Sequence, residues 1–335
     1  GLSPLRNQAD LNPFLISTYD IALRNAVLAA QLQPQQVIRL GELPTSKALR
    51  QWLQSLSAHH WIIDPTDQNL DPIHASSTHI RASVEAIAHR LATVADATGE
   101  MGRSPEGVAG PQQTYLKTWL AMEQALGQTI DRTMDSIQPL RESKVAWLLS
   151  QVLPPHTPLF IANSMPVRDV EMFWRPNTLR VQPYFNRGAN GIDGTLSTAL
   201  GMAQGQRGVL LTGDLSLLHD TNGFLMRPQF QGHLTIVLIN NAGGGIFGML
   251  PIAAYAETFE TFFATPQAVD FAPLCQVYGV EHQVIESWAQ LRACLNPLPE
   301  MGIRVLEVVC DRTLDAQWRK THLAQLAADL EAVLE

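Results

Sequence analysis

The stretches Leu211-Thr-Gly-Asp-Leu-Ser216 and Leu238-Ile-Asn-Asn-Ala-Gly-Gly-Gly-Ile-Phe-Gly248 decide how this chain is read. Residues 208–212 are a short apolar run rich in β-formers that stops at Gly213-Asp214, so a strand delivers a carboxylate to its C-terminal end. Residues 216–227 have helical spacing, with Leu217, Leu218, Phe224 and Leu225 as the apolar stripe. Residues 234–239 form a second buried strand that ends on Asn240-Asn241. Two parallel strands joined by a right-handed helical crossover bring their end residues side by side at the carboxyl edge of a sheet. Asp214 and Asn241 can then share a cation, and Mg2+ suits such a pair because it takes a few hard protein oxygens and completes its octahedron with phosphate and water. The Gly243-Gly244-Gly245 run lets backbone come close to that phosphate. Each turn alone is ordinary turn chemistry. The specificity lies in the combination, since residues 215–239 hold one helix and one strand with nothing spare.

Gly213-Asp214 followed at this distance by Asn240-Asn241 resembles the diphosphate-and-metal signature of the thiamine-diphosphate enzymes. The resemblance implies that Asp214, Asn241 and the carbonyl of Gly243 hold Mg2+ (or Mn2+) against the cofactor's diphosphate, with Gly213, Leu215 and Ser216 beside it. Many members read Gly-Asp-Gly at the first turn. Gly-Asp-Leu-Ser, as found here, narrows the branch.

The 335 residues, 46% hydrophobic, suffice for two domains with real cores. A formal net charge of −8 with few charged residues gives no electrostatic footprint for nucleic acid, and partners are expected among small molecules and protein chains. Cys275, Cys294 and Cys310 lack metal-ligand spacing and sit among apolar neighbours, which reads as reduced core cysteines in a cytoplasmic-type protein. No run reaches membrane-spanning length, and Gly1-Leu-Ser-Pro-Leu-Arg resembles no signal peptide. It begins without Met and leads at once into mid-domain sequence, so a processed or truncated chain is expected.

Strands and helices alternate through residues 1–110, which predicts an α/β layer with a largely parallel sheet. The expected elements are a helix over 12–32, a strand over 36–40, a helix over 47–56, strands over 60–64 and 75–80, and a helix over 83–91. The loop 41–46 followed by Lys47 can hold an anion at a helix start, although capping by Thr45-Ser46 explains it equally well. Periodicity fades over 93–111 among glycines and prolines, which marks a connector. A linker helix over 111–137 leads to the second domain, 138–335, which opens on a helix over 143–153 and closes on one over 315–334.

In that domain a strand over 158–162 leads into Asn163-Ser164 and Arg168. A strand over 179–184 leads into Asn186-Arg187-Gly-Ala-Asn-Gly-Ile192-Asp-Gly194. Four successive strands thus aim polar groups at one sheet edge. An Arg at a strand end ordinarily pairs with an acid or points to solvent. Two of them beside Ser164 suggest bidentate capture of carboxylates instead. Ile192 precedes a small-residue helix and is either plain core or a ligand contact. His219 and His233 have no partner at a recognisable spacing and read as structural.

Together with Ile246-Phe247 and the Pro44-Thr-Ser-Lys47 loop, these motifs resemble one branch of the family, the carboligases of menaquinone and phylloquinone biosynthesis. The resemblance implies decarboxylation of 2-oxoglutarate and addition of the resulting succinyl-semialdehyde carbanion equivalent to isochorismate. It makes Ile192 the wedge under the cofactor rings. Ser164, Arg168, Arg187 and Lys47 become ligands for substrate carboxylates and hydroxyls, with Ile246 and Phe247 as an apolar wall. Cations are what a site for two acids needs in an otherwise acidic chain. The family's activating glutamate belongs to a pyrimidine-binding domain that no segment here matches, so no catalytic residue is assigned. The chain alone is expected to be inactive, needing a homodimer, a homotetramer or a partner chain to complete the site. Alternatives are an acetolactate synthase-like carboligase, for which so many cations are unneeded, and a non-catalytic binding module. A generic dinucleotide-binding protein is disfavoured, because no Gly-x-Gly-x-x-Gly both follows a strand and opens a helix.

Overall fold

A computed structural model describes residues 4–98 and 111–328. They divide into two units: 4–17 with 127–325, and 18–126 with 326–328, the boundary falling inside the helix Pro111–Ser136.

The smaller unit holds a parallel sheet of β1 (Gln36–Leu40), β2 (His59–Ile63) and β3 (Ser77–Ile80) in that order. Gln36 pairs with His59, and His60 with Ser77. Ile21, Leu28, Leu32, Ile62, Met122 and Leu126 are buried within it. The helix expected over 12–32 is instead two short ones, Tyr19–Ala22 and Ala26–Gln31. Asn25 breaks it: extended backbone lets its side chain accept from the amides of Val27 and Leu28 and start a new helix. The fading periodicity after Thr93 does not end the preceding helix, which runs Val84–Thr98; the rest of the expected connector, 99–110, lies outside the described residues.

The larger unit is a six-stranded sheet with every pairing parallel: β4 (Pro158–Ile161), β5 (Gln182–Tyr184), β6 (Arg207–Gly213), β7 (His233–Asn240), β8 (Glu281–Val284) and β9 (Gly302–Val309), in the order β5-β4-β6-β7-β9-β8. From β4 the chain places β5 on one side and β6 on the other. The carboxyl ends of β4 and β6 therefore flank a point where strand order reverses, the crevice in which open α/β sheets bind ligands. The four strands that were expected to share an edge are adjacent neighbours here.

Central strands read as continuous apolar runs because both of their faces are covered. Leu234, Ile236 and Leu238 pack with Leu196, Leu200, Phe224 and Phe271, each such burial contributing about 1.5–3 kcal/mol. Three expected elements change. The strand over 179–184 shortens to β5 because Arg180 takes a left-handed backbone (φ 57°) and pairs with Asp10. The helix over 216–227 becomes Asp214–Leu218 followed by a 3-10 segment Thr221–Gln229. Asp220, between them, turns out of helical geometry and its carboxylate accepts from the amide and hydroxyl of Ser197, while Pro228 ends regular bonding. Leu225 leaves the stripe and is exposed, whereas Leu217 and Phe224 are buried. The last helix starts at Arg312, where Asp311 accepts from the amides of Thr313 and Leu314. The described chain follows that helix to Ala328, so 329–334 of the expected closing helix lie outside it.

Candidate active site

Strand β6 ends at Gly213, still extended, and the next residue opens a short helix, which sets Asp214 at the sheet edge with its side chain turned inward. Its Oδ1 accepts from the amide of Leu215 at 2.8 Å and its Oδ2 from the amide of Gly243 at 2.7 Å. The two turns read from the sequence therefore meet. Burial pushes the Asp214 carboxyl up to about 6, against the pull of those two amides and with help from the negative charge of Glu142. A buried carboxylate held back from ionisation is stabilised by any cation placed beside it.

Asn241 is buried on the neighbouring turn. Its Nδ2 donates to Glu142 Oε1 at 2.5 Å, while its Oδ1 is buried without a hydrogen-bond partner among the described residues. A buried carbonyl oxygen with no donor costs about 1–3 kcal/mol, a cost that a cation would remove. Gly243 has φ +128°, and a Cβ there would lie 2.2 Å from the carbonyl oxygen of Ala264. Only glycine fits. Backbone of Phe263-Ala264 presses on the glycine run from one side: the amide of Gly244 donates to Ala264 at 2.7 Å, and that of Gly245 to the Gly243 carbonyl at 2.9 Å. That carbonyl keeps a second lone pair. A hard-oxygen set of Asp214, Asn241 Oδ1 and the Gly243 carbonyl fits Mg2+ by donor chemistry.

At the end of β4, Ser164 holds φ 70° and ψ −130°, a conformation rare outside glycine and costing of order 1–3 kcal/mol. Its carbonyl accepts from Arg168 Nη1 at 2.6 Å, one turn into the helix Met165–Phe173. Arg187 Nη1 donates to Asn163 Oδ1 at 2.6 Å, and Asn163 Nδ2 in turn donates to the carbonyls of Asn186 (2.8 Å) and Gly191 (2.6 Å). Both arginines are half-buried. Asn163 ties the loops after β4 and β5 together.

Ile192 is half-buried, and its carbonyl accepts from the hydroxyls of Ser216 (3.0 Å) and Thr195 (3.1 Å). Ser216, two residues past Asp214, spends its side chain on this link, so Gly-Asp-Leu-Ser couples the Asp214 turn to the Ile192 turn. Leu215, Ile246 and Phe247 are also half-buried, and Phe247 meets Phe263 edge to face at 5.6 Å. In the smaller unit Lys47 is exposed at the first position of the helix Lys47–Ser55; Ser46 caps that helix by accepting from the amide of Leu49 at 3.1 Å, and donates to Asp20. His233 is a core residue bonded to Thr235 and the Met301 carbonyl, while His219 is exposed.

Behind the Asn241 turn lies a buried charge network that periodicity did not reveal. Glu142 Oε2 accepts from Arg319 Nη2 at 3.1 Å, and Arg319 makes a bidentate pair with Asp169. Asp315 accepts from Arg141 at 3.0 Å and from the Glu142 amide at 3.3 Å. Burial pushes the Asp315 carboxyl up to about 6 and raises that of Asp169 as well. Burial works against the charge of Arg319, but Asp169 and Glu142 hold it protonated. Asn240 has its own partner: its Nδ2 donates to Glu307 Oε1 at 2.6 Å, and His282 Nε2 meets Glu307 Oε2 at 2.6 Å. One signal was available. The helix Glu142–Val152 is buried at every position but Gln151, so the charged residues at its start are buried too.

Two family models match this chain: the middle domain of thiamine pyrophosphate enzymes over residues 6–161, and their C-terminal TPP binding domain over 171–308. Among curated proteins, it is 57% identical to the 2-succinyl-5-enolpyruvyl-6-hydroxy-3-cyclohexene-1-carboxylate synthase of Trichormus variabilis, covering 98% of this chain and 54% of that protein. It is 55% identical to the synthase of the same name from Gloeothece citriformis, with 98% and 54% covered. It is 50% identical to that of Microcystis aeruginosa, with 95% and 54% covered. The chain spans about half the length of these relatives.

Proposed function

We propose, for a chain that belongs to the thiamine pyrophosphate enzyme family, that it holds the diphosphate and metal of a 2-succinyl-5-enolpyruvyl-6-hydroxy-3-cyclohexene-1-carboxylate synthase. In that reaction 2-oxoglutarate loses carbon dioxide and its remaining four-carbon unit adds to isochorismate. Bound thiamine diphosphate supplies the electron sink for decarboxylation. Asp214, Asn241 Oδ1 and the Gly243 carbonyl would hold Mg2+ or Mn2+, with Gly213 and Leu215 against the diphosphate. The observation that carries this reading is the buried, partnerless Oδ1 of Asn241 on the turn whose Gly243 amide bonds Asp214.

Ile192, fixed through its carbonyl by Ser216 and Thr195, supports the cofactor rings. Arg168 and Arg187, positioned through their bonds to the Ser164 carbonyl and to Asn163, take substrate carboxylates together with the Ser164 hydroxyl. Ile246 and Phe247 give the apolar wall. Identity of at least half across nearly the whole chain supports this synthase over an acetolactate synthase-like activity. We place the enzyme in the cytoplasm as a homodimer or homotetramer. No helix among the described residues is long and apolar enough to cross a membrane.

Titration calorimetry of thiamine diphosphate with and without Mg2+ tests the reading. Binding is expected only with the metal, and Asp214→Ala is expected to lower affinity at least a hundredfold, or about 2.7 kcal/mol. Unchanged binding by that variant would sink the assignment.

A further inference from the structure

Asn241 can offer oxygen to a cation only if its amide is held one way round. A carboxylate accepts hydrogen bonds and has none to give, so the 2.5 Å contact with Glu142 Oε1 turns the amide nitrogen toward Glu142. The opposite oxygen of Glu142 is held by Arg319 Nη2, and both terminal nitrogens of that guanidinium are bonded to Asp169. Glu142 therefore faces donors on both sides, and the Oδ1 of Asn241 is left pointing elsewhere, buried and without a partner among the described residues. A Cβ on Gly245 would sit 2.6 Å from Asn241 Nδ2 and 3.4 Å from Glu142 Oε1, so the glycine run closes over this bond.

We propose that Glu142 is the positioning residue of the cation site: through its carboxylate it sets the Asn241 amide so that oxygen, and not nitrogen, meets a divalent metal. The proposal rests on the reading of Asp214 and Asn241 as cation ligands. In this role Glu142 acts through Asn241. The adjacent Asn240 is clamped in the same manner by Glu307, backed by His282, so each asparagine of the turn has its own buried glutamate and backing cation or imidazole. Two neighbouring amides, separately clamped, cannot exchange roles.

A double-mutant cycle on the full chain tests the idea, with Mn2+ affinity read by electron paramagnetic resonance and Mg2+-dependent cofactor binding by calorimetry. In E142Q, Arg319 draws the introduced carbonyl toward itself. The introduced NH2 then faces Asn241, whose amide rotates and turns nitrogen to the metal, weakening Mn2+ binding tenfold or more. In an N241D background the same E142Q change is expected to cost less than threefold, because the introduced amide donates to the introduced carboxylate. Equal losses in both backgrounds, or less than threefold in the parent, overturn the proposal.

The parent protein gives an independent reading that needs no variant. With 15N-asparagine labelling and bound Mn2+, a directly bonded 15N coupling would overturn the orientation, and its absence is expected. D214A separates the two levels. If it leaves Mn2+ binding intact, the cation-site reading itself fails, whereas loss in D214A with none in E142Q removes only the positioning role.

Discussion

The two sheets of this protein are built from the same parallel strand and differ in what covers them. Strand β7 is buried from His233 to Ile239, and only Asn240 at its end opens outward. Strand β1 alternates, leaving Ile38 and Leu40 at 70% and 59% exposure. Covered strands are rigid and fix the turn residues at their ends to within tenths of an ångström, which is the condition for a metal or cofactor site. The turns after β4, β6 and β7 accordingly carry the interlocked groups of the site, while the loop after β1 ends on an exposed lysine held by an ordinary cap.

The contrast can be broken by substitution. The largest stability effect is expected at Arg319, since Arg319→Met leaves Glu142 and Asp169 buried without their counter-charge. A loss of about 3–5 kcal/mol should appear in chemical denaturation. Next comes Ile236→Ala on β7, with a cost of about 2–5 kcal/mol for the cavity it opens.

A pH effect of intermediate size is expected from Asp315, whose folded-state value of about 6 lies above its ordinary 3.8. The native state then binds more protons than the unfolded one between those values. This group's contribution is complete below about pH 4 and is lost as pH rises through 6, by of order 1–3 kcal/mol. Denaturation midpoints at pH 4.5 and pH 7.5 should show that slope in the parent and a shallower one in Asp315→Asn. The smallest effect is expected from Ile38→Ala on β1, within about 0.5 kcal/mol. A loss there matching that of Ile236→Ala would abolish the distinction between the two sheets.

Legibility in the sequence divides along the same line. The apolar runs before Asn163, Asp214 and Asn240 announced their strands, because a strand covered on both faces leaves a continuous hydrophobic signal. The meeting of Asp214 with the Gly243 turn followed from the one-helix, one-strand spacing between them. Glu142 did not follow. It lies 99 residues before Asn241 and 177 before Arg319, and a pairing that distant leaves no local period. The helix was expected to start at Ser143, one residue too late to include it. Leu225 was misplaced for a related reason: helical spacing continues on paper past Asp220, but that carboxylate is committed to Ser197. Arg168 and Arg187 were legible as cations at strand ends. Their anchoring to Ser164 and Asn163 was not, since it depends on a left-handed Ser164 and on a loop conformation that residue types do not specify.

Asn163 has a kinetic consequence. One side chain fastens the loop 186–191 at three points, so the loop can detach as a latch does while β4 and β6 stay paired. Its amides should then exchange hydrogen with solvent through that small opening, far faster than the whole sheet unravels. Arg187, bonded to the same asparagine, would move with the latch.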